Sequence, residues 1–365
     1  MGETMQAMVL TGHGDMGRLV WRTDVPRPDP GPGEVLIRVG ACGLNATDVN
    51  TRIGWYSRAA TAGVDAAAGS AGLADIAMET GTWTGKPIPF PLIQGADTVG
   101  RIVAVGAGVD AARVGERVLV DPWLLGAGDW LNPANAPYYG TDCDGGFAQY
   151  SVIRAANAHA IETDLPDAEL ATLPCGLTTA DNLVGKTAPR PGETVVVAGA
   201  SGGVGTLAVQ LAHASGARVI GLAAPAKADR LRALGCDAVV DSRAPDLAER
   251  IRAAAGGPVE AAIDVIGGAV FAGLIGALRQ GGRYAASGAL GGPVVQFDLR
   301  DLIYKDLRLM GATIVPPGNM ARLVRMVERG QVRPQLAATY PLRELHAAQR
   351  AFLDKAHVGS IVVVP

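Results

Sequence analysis

The segment Ala198-Gly199-Ala200-Ser201-Gly202-Gly203-Val204-Gly205 follows an apolar run at 194–198 and opens an amphipathic stretch over 204–214. A glycine cluster between a strand and a helix has a mechanical meaning. Small residues let the chain turn sharply, and the free N–H groups and positive dipole end of the helix then face an anion. Gly202 is expected to close the turn, Gly203 to let a pyrophosphate approach the backbone, and Gly205 to let the helix pack on the strand. Ala200, Ser201 and Val204 complete the predicted cradle. Beyond it, apolar and amphipathic runs alternate at 218–222, 226–234, 238–240, 245–255, 261–265, 270–278 and 283–287. Strand–helix alternation of this kind implies a parallel, doubly wound α/β sheet, and the first strand–helix junction of such a sheet is where a dinucleotide binds.

The choice between NAD and NADP is read where the next strand ends, because a carboxylate there would hold the ribose 2′-hydroxyl. The run at 218–222 ends in Ala223-Ala224-Pro225-Ala226-Lys227. With no carboxylate present, Lys227 is placed to meet a 2′-phosphate as a charged donor, so NADP(H) is the expected cofactor. Ser287-Gly288 closes the last strand and is expected to bring its backbone beside the same nucleotide.

Around this unit lies a different rhythm. Short β-rich runs at 7–10, 34–40, 99–106, 117–120 and 146–153 predict a small β-domain. Long segments at 57–91, Ala- and Gly-rich, and 121–145, rich in Trp, Tyr, Asn and Gly, interrupt it. Loops of that length inside a compact domain are commonly functional. Helical stretches at 320–329 and 342–353 precede an apolar strand at 360–364, which needs a sheet to join and would find one in the first domain. The division expected is 1–170 with 318–365 as one domain and 171–317 as the nucleotide-binding domain.

Composition excludes several classes. At 365 residues the chain can bury two cores. A formal net charge of -3, with the charges spread, provides no basic stripe for nucleic acid or an anionic membrane. The N-terminus carries no leader pattern and no apolar run approaches a membrane span, so a cytoplasmic protein is expected. The 4 cysteines, Cys42, Cys143, Cys175 and Cys236, are far apart and read as free thiols.

The motifs Pro32-Gly33-Glu34-Val35, Gly43-Leu44-Asn45-Ala46-Thr47-Asp48, Gly95-Ala96-Asp97-Thr98-Val99-Gly100, Gly145-Gly146-Phe147-Ala148 and the turn through Gly205 resemble those of the medium-chain dehydrogenase/reductase superfamily. Within it they are most similar to the zinc-independent quinone oxidoreductase branch that includes zeta-crystallin. The resemblance spans nearly the whole chain outside the two long loops. It implies a Rossmann doubly wound parallel sheet inserted in a GroES-like β-barrel catalytic domain. The zinc alcohol dehydrogenase branch carries a cysteine where this chain has Asn45, a proton-relaying histidine at Ala46, a ligand histidine at Ala96 and a third ligand near Cys175. Only Cys175 keeps a ligand type, and one thiolate cannot assemble the three protein ligands of a catalytic zinc, so no metal is expected.

By the same resemblance Tyr56 falls where that branch carries a tyrosine near the nicotinamide, Asn45 where it carries an asparagine beside nicotinamide and substrate, and Thr179 where a threonine packs on the nicotinamide. Tyr56 and Asn45 are the catalytic candidates. Helix capping is the competing role for Thr179, and anchoring of the loop at Ser57 the competing role for Tyr56. Asp48 and Asp97 match acidic positions that brace the backbone. Trp55, Trp83, Trp123, Trp130, Tyr138 and Tyr139 lie in or beside the long loops and either wall an apolar pocket or fold the loops down. The expected activity is reduction of a small-molecule quinone, enone or enoyl compound by NADPH. The alternatives are a nucleotide-binding protein with little turnover and a zinc-type alcohol dehydrogenase. A homodimer through the edge strand at 308–315 is expected from the family's habit.

Overall fold

The computed structural model describes residues 2–73, 80–126 and 128–365. Its β-domain is built on β1 (Thr4–Leu10), β2 (Leu19–Pro26), β3 (Glu34–Gly43), β4 (Leu92–Ile93), β5 (Asp97–Val105), β6 (Arg117–Val120), β7 (Tyr150–Arg154) and β8 (Ala158–Ala160). The strands β2-β1-β4 form a small antiparallel sheet. The long strand β3 is the spine of the larger one. It pairs with β5 along one edge, and on the other edge with β7 through Glu34–Arg38 and then with the C-terminal strand at Cys42 and Gly43. A run this apolar is explained by having partners on both edges and buried side chains, Val35, Leu36 and Ile37 among them. The sequence reading missed β2, in which Arg22, Thr23 and Asp24 form an exposed polar run. It also began β7 four residues early, because 145–149 crosses between the two sheets instead of extending one.

The second domain carries β9 (Thr194–Ala198), β10 (Arg218–Leu222), β11 (Ala238–Val240), β12 (Val259–Asp264), β13 (Leu278–Ala286) and β14 (Arg308–Gly311), all parallel, in the order β11-β10-β9-β12-β13-β14. One face is covered by a helix over Pro174–Thr187 and the helix Gly203–Ala214, through Leu177, Leu183, Leu207 and Leu211. The other is covered through Leu247, Ile251, Phe271 and Leu274. The remaining strands are β15 (Leu336–Pro341) and β16 (Ser360–Val364), and β16 returns to the first domain, Val363 opposite Cys42, as the terminal apolar run predicts.

Five helices position the site: α1 (Ala46–Ile53), α2 (Ala66–Ala71), α3 (Asp167–Leu170), α4 (Pro174–Thr187) and α5 (Gly203–Ala214). Pro174, Gly176, Thr178, Thr179, Gly185 and Thr187 give α4 weak intrinsic propensity, so its helicity comes from burial, and the pattern reading assigned it no element. The first long segment contributes α2, capped by Asp65 and tied down by the fully buried Arg52, which donates to the carbonyls of Gly14 and Gly69 and to Gln349 Oε1. The two long segments meet where Thr84 Oγ1 donates to Asp142 Oδ1 at 3.0 Å. Among the described residues no helix is long and apolar enough to cross a membrane.

Candidate active site

A cavity of about 520 Å³ runs from the carboxyl edge of the parallel sheet to the first turn of α1. Of the residues the sequence singled out, Asn45, Tyr56, Thr179, Ser201, Gly202, Gly203, Val204, Gly205, Lys227, Ser287 and Gly288 line it. Ala200 does not. It is fully buried in the core between the sheet and α5, and its N–H donates to Leu222 O.

The glycines also divide their work differently from the expectation. The left-handed turn is made by Gly199, at φ 70, whereas Gly202 is the extended N-cap of α5 at φ -80. A Cβ on Gly202 would find nothing nearer than 3.6 Å, so this is the backbone open to a ligand. A Cβ on Gly203 would lie 2.5 Å from Ser360 Oγ; its bareness makes room for the returning β16. Gly205 keeps the predicted role, since a Cβ there would lie 2.0 Å from Gly199 O. The cradle therefore fits a pyrophosphate: an open backbone at the first turn of a helix whose leading N–H groups have no partner within it.

Lys227 lines the cavity, but its ammonium already faces three protein oxygens: Ser201 Oγ at 3.2 Å, Lys355 O at 2.6 Å and His357 O at 2.9 Å. Together with the bond from Gly359 N to Ser201 O at 2.9 Å, it clamps the chain entering β16 over the nucleotide turn. Burial lowers the Lys227 ammonium from its ordinary value, and burial with the neighbouring Lys227 charge brings Lys355 down to about 8. The sequence reading missed Ser242 and Arg243, which line the same end from just beyond β11. Arg243 is exposed, and among the described residues its guanidinium has no carboxylate within ion-pair distance. The rule applied at the end of β10, used once more at β11, would have found it. Lys355 and His357 carry no local signal, because only the return of β16 brings them there.

At the other end, Asp97 organises the wall. Its carboxylate accepts from Asn45 Nδ2 and from the N–H of Cys175 in the first turn of α4, joining the two elements that carry the polar groups. Asp48 accepts from Asn45 N at 2.7 Å. Burial pushes Asp97 up to about 7, and burial, reinforced by Asp97, pushes Asp48 up to about 8. Tyr56 pairs with Thr47 through their hydroxyls at 2.9 Å, and burial pushes its phenol up to about 12. Thr179 sits in the middle of α4, so it caps nothing and presents its side chain to the cavity. Cys175 lies beside Tyr138, with burial raising the thiol first and Asp97 second. Among the described residues no group of three His, Cys, Asp or Glu side chains gathers in metal-binding proximity.

The aromatic residues split. Trp55, Tyr56, Trp83, Trp123 and Tyr138 wall the cavity, stacked edge to face or tilted at ring separations of 4.9 to 5.8 Å. Tyr139 turns the opposite way and donates to the buried Ser151 Oγ at 2.6 Å, and Trp130 is not on the wall.

A parallel sheet with a glycine turn, set against a mixed-sheet domain with an apolar cleft between them, defines the two-domain dehydrogenase class. The chain belongs to the medium-chain dehydrogenase/reductase superfamily. Residues 61–163 match the model of the alcohol dehydrogenase GroES-like domain, and residues 203–329 that of the zinc-binding dehydrogenase domain. A solved structure from Sinorhizobium meliloti 1021, named only provisionally as an alcohol dehydrogenase, is 44% identical with a TM-score of 0.90, covering 100% of this chain and 98% of that one. A solved NAD-dependent alcohol dehydrogenase is 30% identical with a TM-score of 0.85, covering 99% of this chain and 100% of that one. Acryloyl-coenzyme A reductase of Sulfurisphaera tokodaii is 27% identical over 99% of this chain and 100% of its own length. The Rossmann and GroES-like units expected from the motifs are those of this superfamily.

Proposed function

We propose that this protein is an NADPH-dependent reductase that delivers hydride to an α,β-unsaturated carbonyl compound or a quinone without a catalytic metal. One observation carries the reading: the substrate end of the cavity gathers an amide, two phenols and a single thiol beside the nucleotide turn, where a metal-dependent member would need three ligands. Relatives named as alcohol dehydrogenases and as a reductase of an unsaturated acyl thioester are both compatible with hydride chemistry, and the donor set here favours the second kind.

Bound NADPH supplies the hydride. The pyrophosphate would be held by the open backbone at Gly202 and the first turn of α5, and the 2′-phosphate by Arg243 and Ser242 beside the Lys227 clamp. Thr179, Ser287 and Gly288 flank the nicotinamide end. Asn45 is fixed by Asp97, which presents its amide to the substrate in one orientation, and Tyr56 is fixed by Thr47. Such preoriented dipoles stabilise the charge that develops on the substrate oxygen as hydride reaches the far carbon. The aromatic wall excludes water, which strengthens those dipoles. In solution we expect a homodimer through the edge strand β14, in which Leu309 is exposed and just before which Leu299, Ile303 and Tyr304 are exposed.

The test is loss of nicotinamide absorbance with a panel of quinones, enones and an enoyl thioester, after chelator treatment and with NADH alongside. Chelator-resistant turnover preferring NADPH is expected. Turnover that disappears on chelation and returns with zinc would establish the alcohol dehydrogenase type instead. Tight NADPH binding with no turnover on any acceptor would establish a binding protein.

A further inference from the structure

We infer that the Tyr138 hydroxyl is the principal hydrogen-bond donor to the substrate oxygen, taking the place that a metal ion holds in metal-dependent relatives; this rests on the reductase reading above. Tyr138 belongs to the second long segment, and nothing in its local sequence separates it from neighbouring Tyr139, which is turned away to Ser151. Three observations single it out.

First, its ring is immobilised. Tyr138 packs edge to face on Trp123 at 4.9 Å and on Trp83 at 5.3 Å. Its N–H is held by Asp142 Oδ2 at 2.8 Å, and its backbone bridges to Trp123. Second, its hydroxyl faces the Cys175 thiol, the one side chain at the matched ligand positions that retains a metal-binding atom. That places the phenol where the electrophile of a metal-dependent relative would stand. Third, its rival is engaged by a stronger acceptor: Tyr56 Oη is paired with Thr47 Oγ1, whereas Tyr138, which lines the cavity, donates to the Cys175 thiol, a weak acceptor that a substrate oxygen can displace.

Burial raises the Tyr138 phenol well above its ordinary value, with Cys175 and Asp97 adding to the shift. A phenol kept protonated donates without losing its proton. As hydride adds to the β-carbon, the alkene π pair moves to the α-carbon and carbonyl, the oxygen gains negative charge, and Tyr138 O–H strengthens its bond to it. The α-carbon then takes a proton from water. One hydride and one proton add across the double bond, the nicotinamide is oxidised, and Tyr138 is unchanged.

The experiment compares Tyr138→Phe with Tyr56→Phe. Phenylalanine keeps the ring packing, so thermal unfolding and NADPH affinity should match the wild type. For Tyr138→Phe we expect kcat to fall by ~10²-fold, as when one oxyanion donor is removed, with a smaller loss for Tyr56→Phe. A second readout does not need turnover: para-nitrophenolate, a stable mimic of an enolate oxygen, is titrated into the NADP⁺-loaded protein and followed by its absorption band. Tight binding that weakens about tenfold in Tyr138→Phe, or roughly 1.4 kcal/mol, is expected. Equal kcat and equal phenolate affinity in Tyr138→Phe and wild type would overturn the assignment, as would a wild type that binds no phenolate. A wild type that reduces nothing yet binds phenolate through Tyr138 would overturn the reductase reading and leave the oxyanion site standing.

Discussion

Lys227 and Arg243 make opposite predictions for cofactor choice, and the difference follows from where their donors point. The three contacts of the Lys227 ammonium are to Ser201 Oγ and the carbonyls of Lys355 and His357, so its job is to hold the entry to β16 over the nucleotide turn. Lys227→Met removes that clamp. Hydrogen bonds to a charged group contribute ~1.5–3 kcal/mol each, and at this half-buried position water can replace much of the loss. A net weakening of about 1.4 kcal/mol, or tenfold, is therefore expected, and it should fall on NADPH and NADH alike, because the clamp closes over the part of the nucleotide they share. Arg243→Ala removes a guanidinium that lines the cavity and has no carboxylate within ion-pair distance among the described residues. A charge-assisted phosphate contact is worth ~1.5–3 kcal/mol, so NADPH should weaken roughly 10- to 100-fold while NADH changes little. The assay is a fluorescence or calorimetric titration of both cofactors against both variants. If Lys227→Met lost NADPH affinity alone and left NADH binding intact, the clamp argument would be refuted and the sequence expectation for Lys227 restored.

Three further outcomes follow from the same geometry. Gly205→Ala places a Cβ 2.0 Å from Gly199 O and 2.7 Å from Ala200 Cα, both backbone, so thermal unfolding should drop and NADPH binding vanish; Gly202→Ala meets only Gly199 O at 3.6 Å, an ordinary contact, and should fold normally while binding NADPH more weakly. Replacing the buried Arg52 with Met leaves two carbonyls and the Gln349 amide without their donor, and denaturant melts should show a loss of several kcal/mol; an unchanged midpoint would mean the inserted α2 is held by other contacts. Asp48 and Asp97 have folded values of about 8 and about 7, above the 3.8 of the unfolded carboxyl, so the folded state binds protons that the unfolded chain has released. Their contribution to stability should therefore be fully present below about pH 4 and lost as pH rises to about 8, so that Asp48→Asn flattens the pH dependence relative to wild type; an identical pH dependence in the variant would contradict the burial of the pair.

Much of the frame was legible because it depends on local pattern. The strands at 194–198, 218–222, 238–240 and 360–364 are apolar runs with clear ends, and they stand at those positions in the structure. The glycine turn was legible as a turn, but the assignment of roles within it failed by a few residues. That Gly203 must lack a Cβ depends on Ser360, 157 positions further along the chain. The helix α4 was illegible for the converse reason: threonines and glycines form it only because the sheet and α5 bury them.

The sequence by itself determined the two-domain plan, the nucleotide edge and the non-ligand residues at Asn45 and Ala96, because each is written in contiguous residues or in side-chain chemistry at matched positions. Tertiary structure alone decided that the Lys227 ammonium bonds to Ser201, Lys355 and His357, that Arg243 has no carboxylate within ion-pair distance among the described residues, that Tyr138 faces the cavity while Tyr139 faces Ser151, and that Asp97 links Asn45 to α4. Those are directional contacts between groups far apart in the chain. Adjacent residues with the same chemistry acquire different roles once packing fixes which way each side chain points.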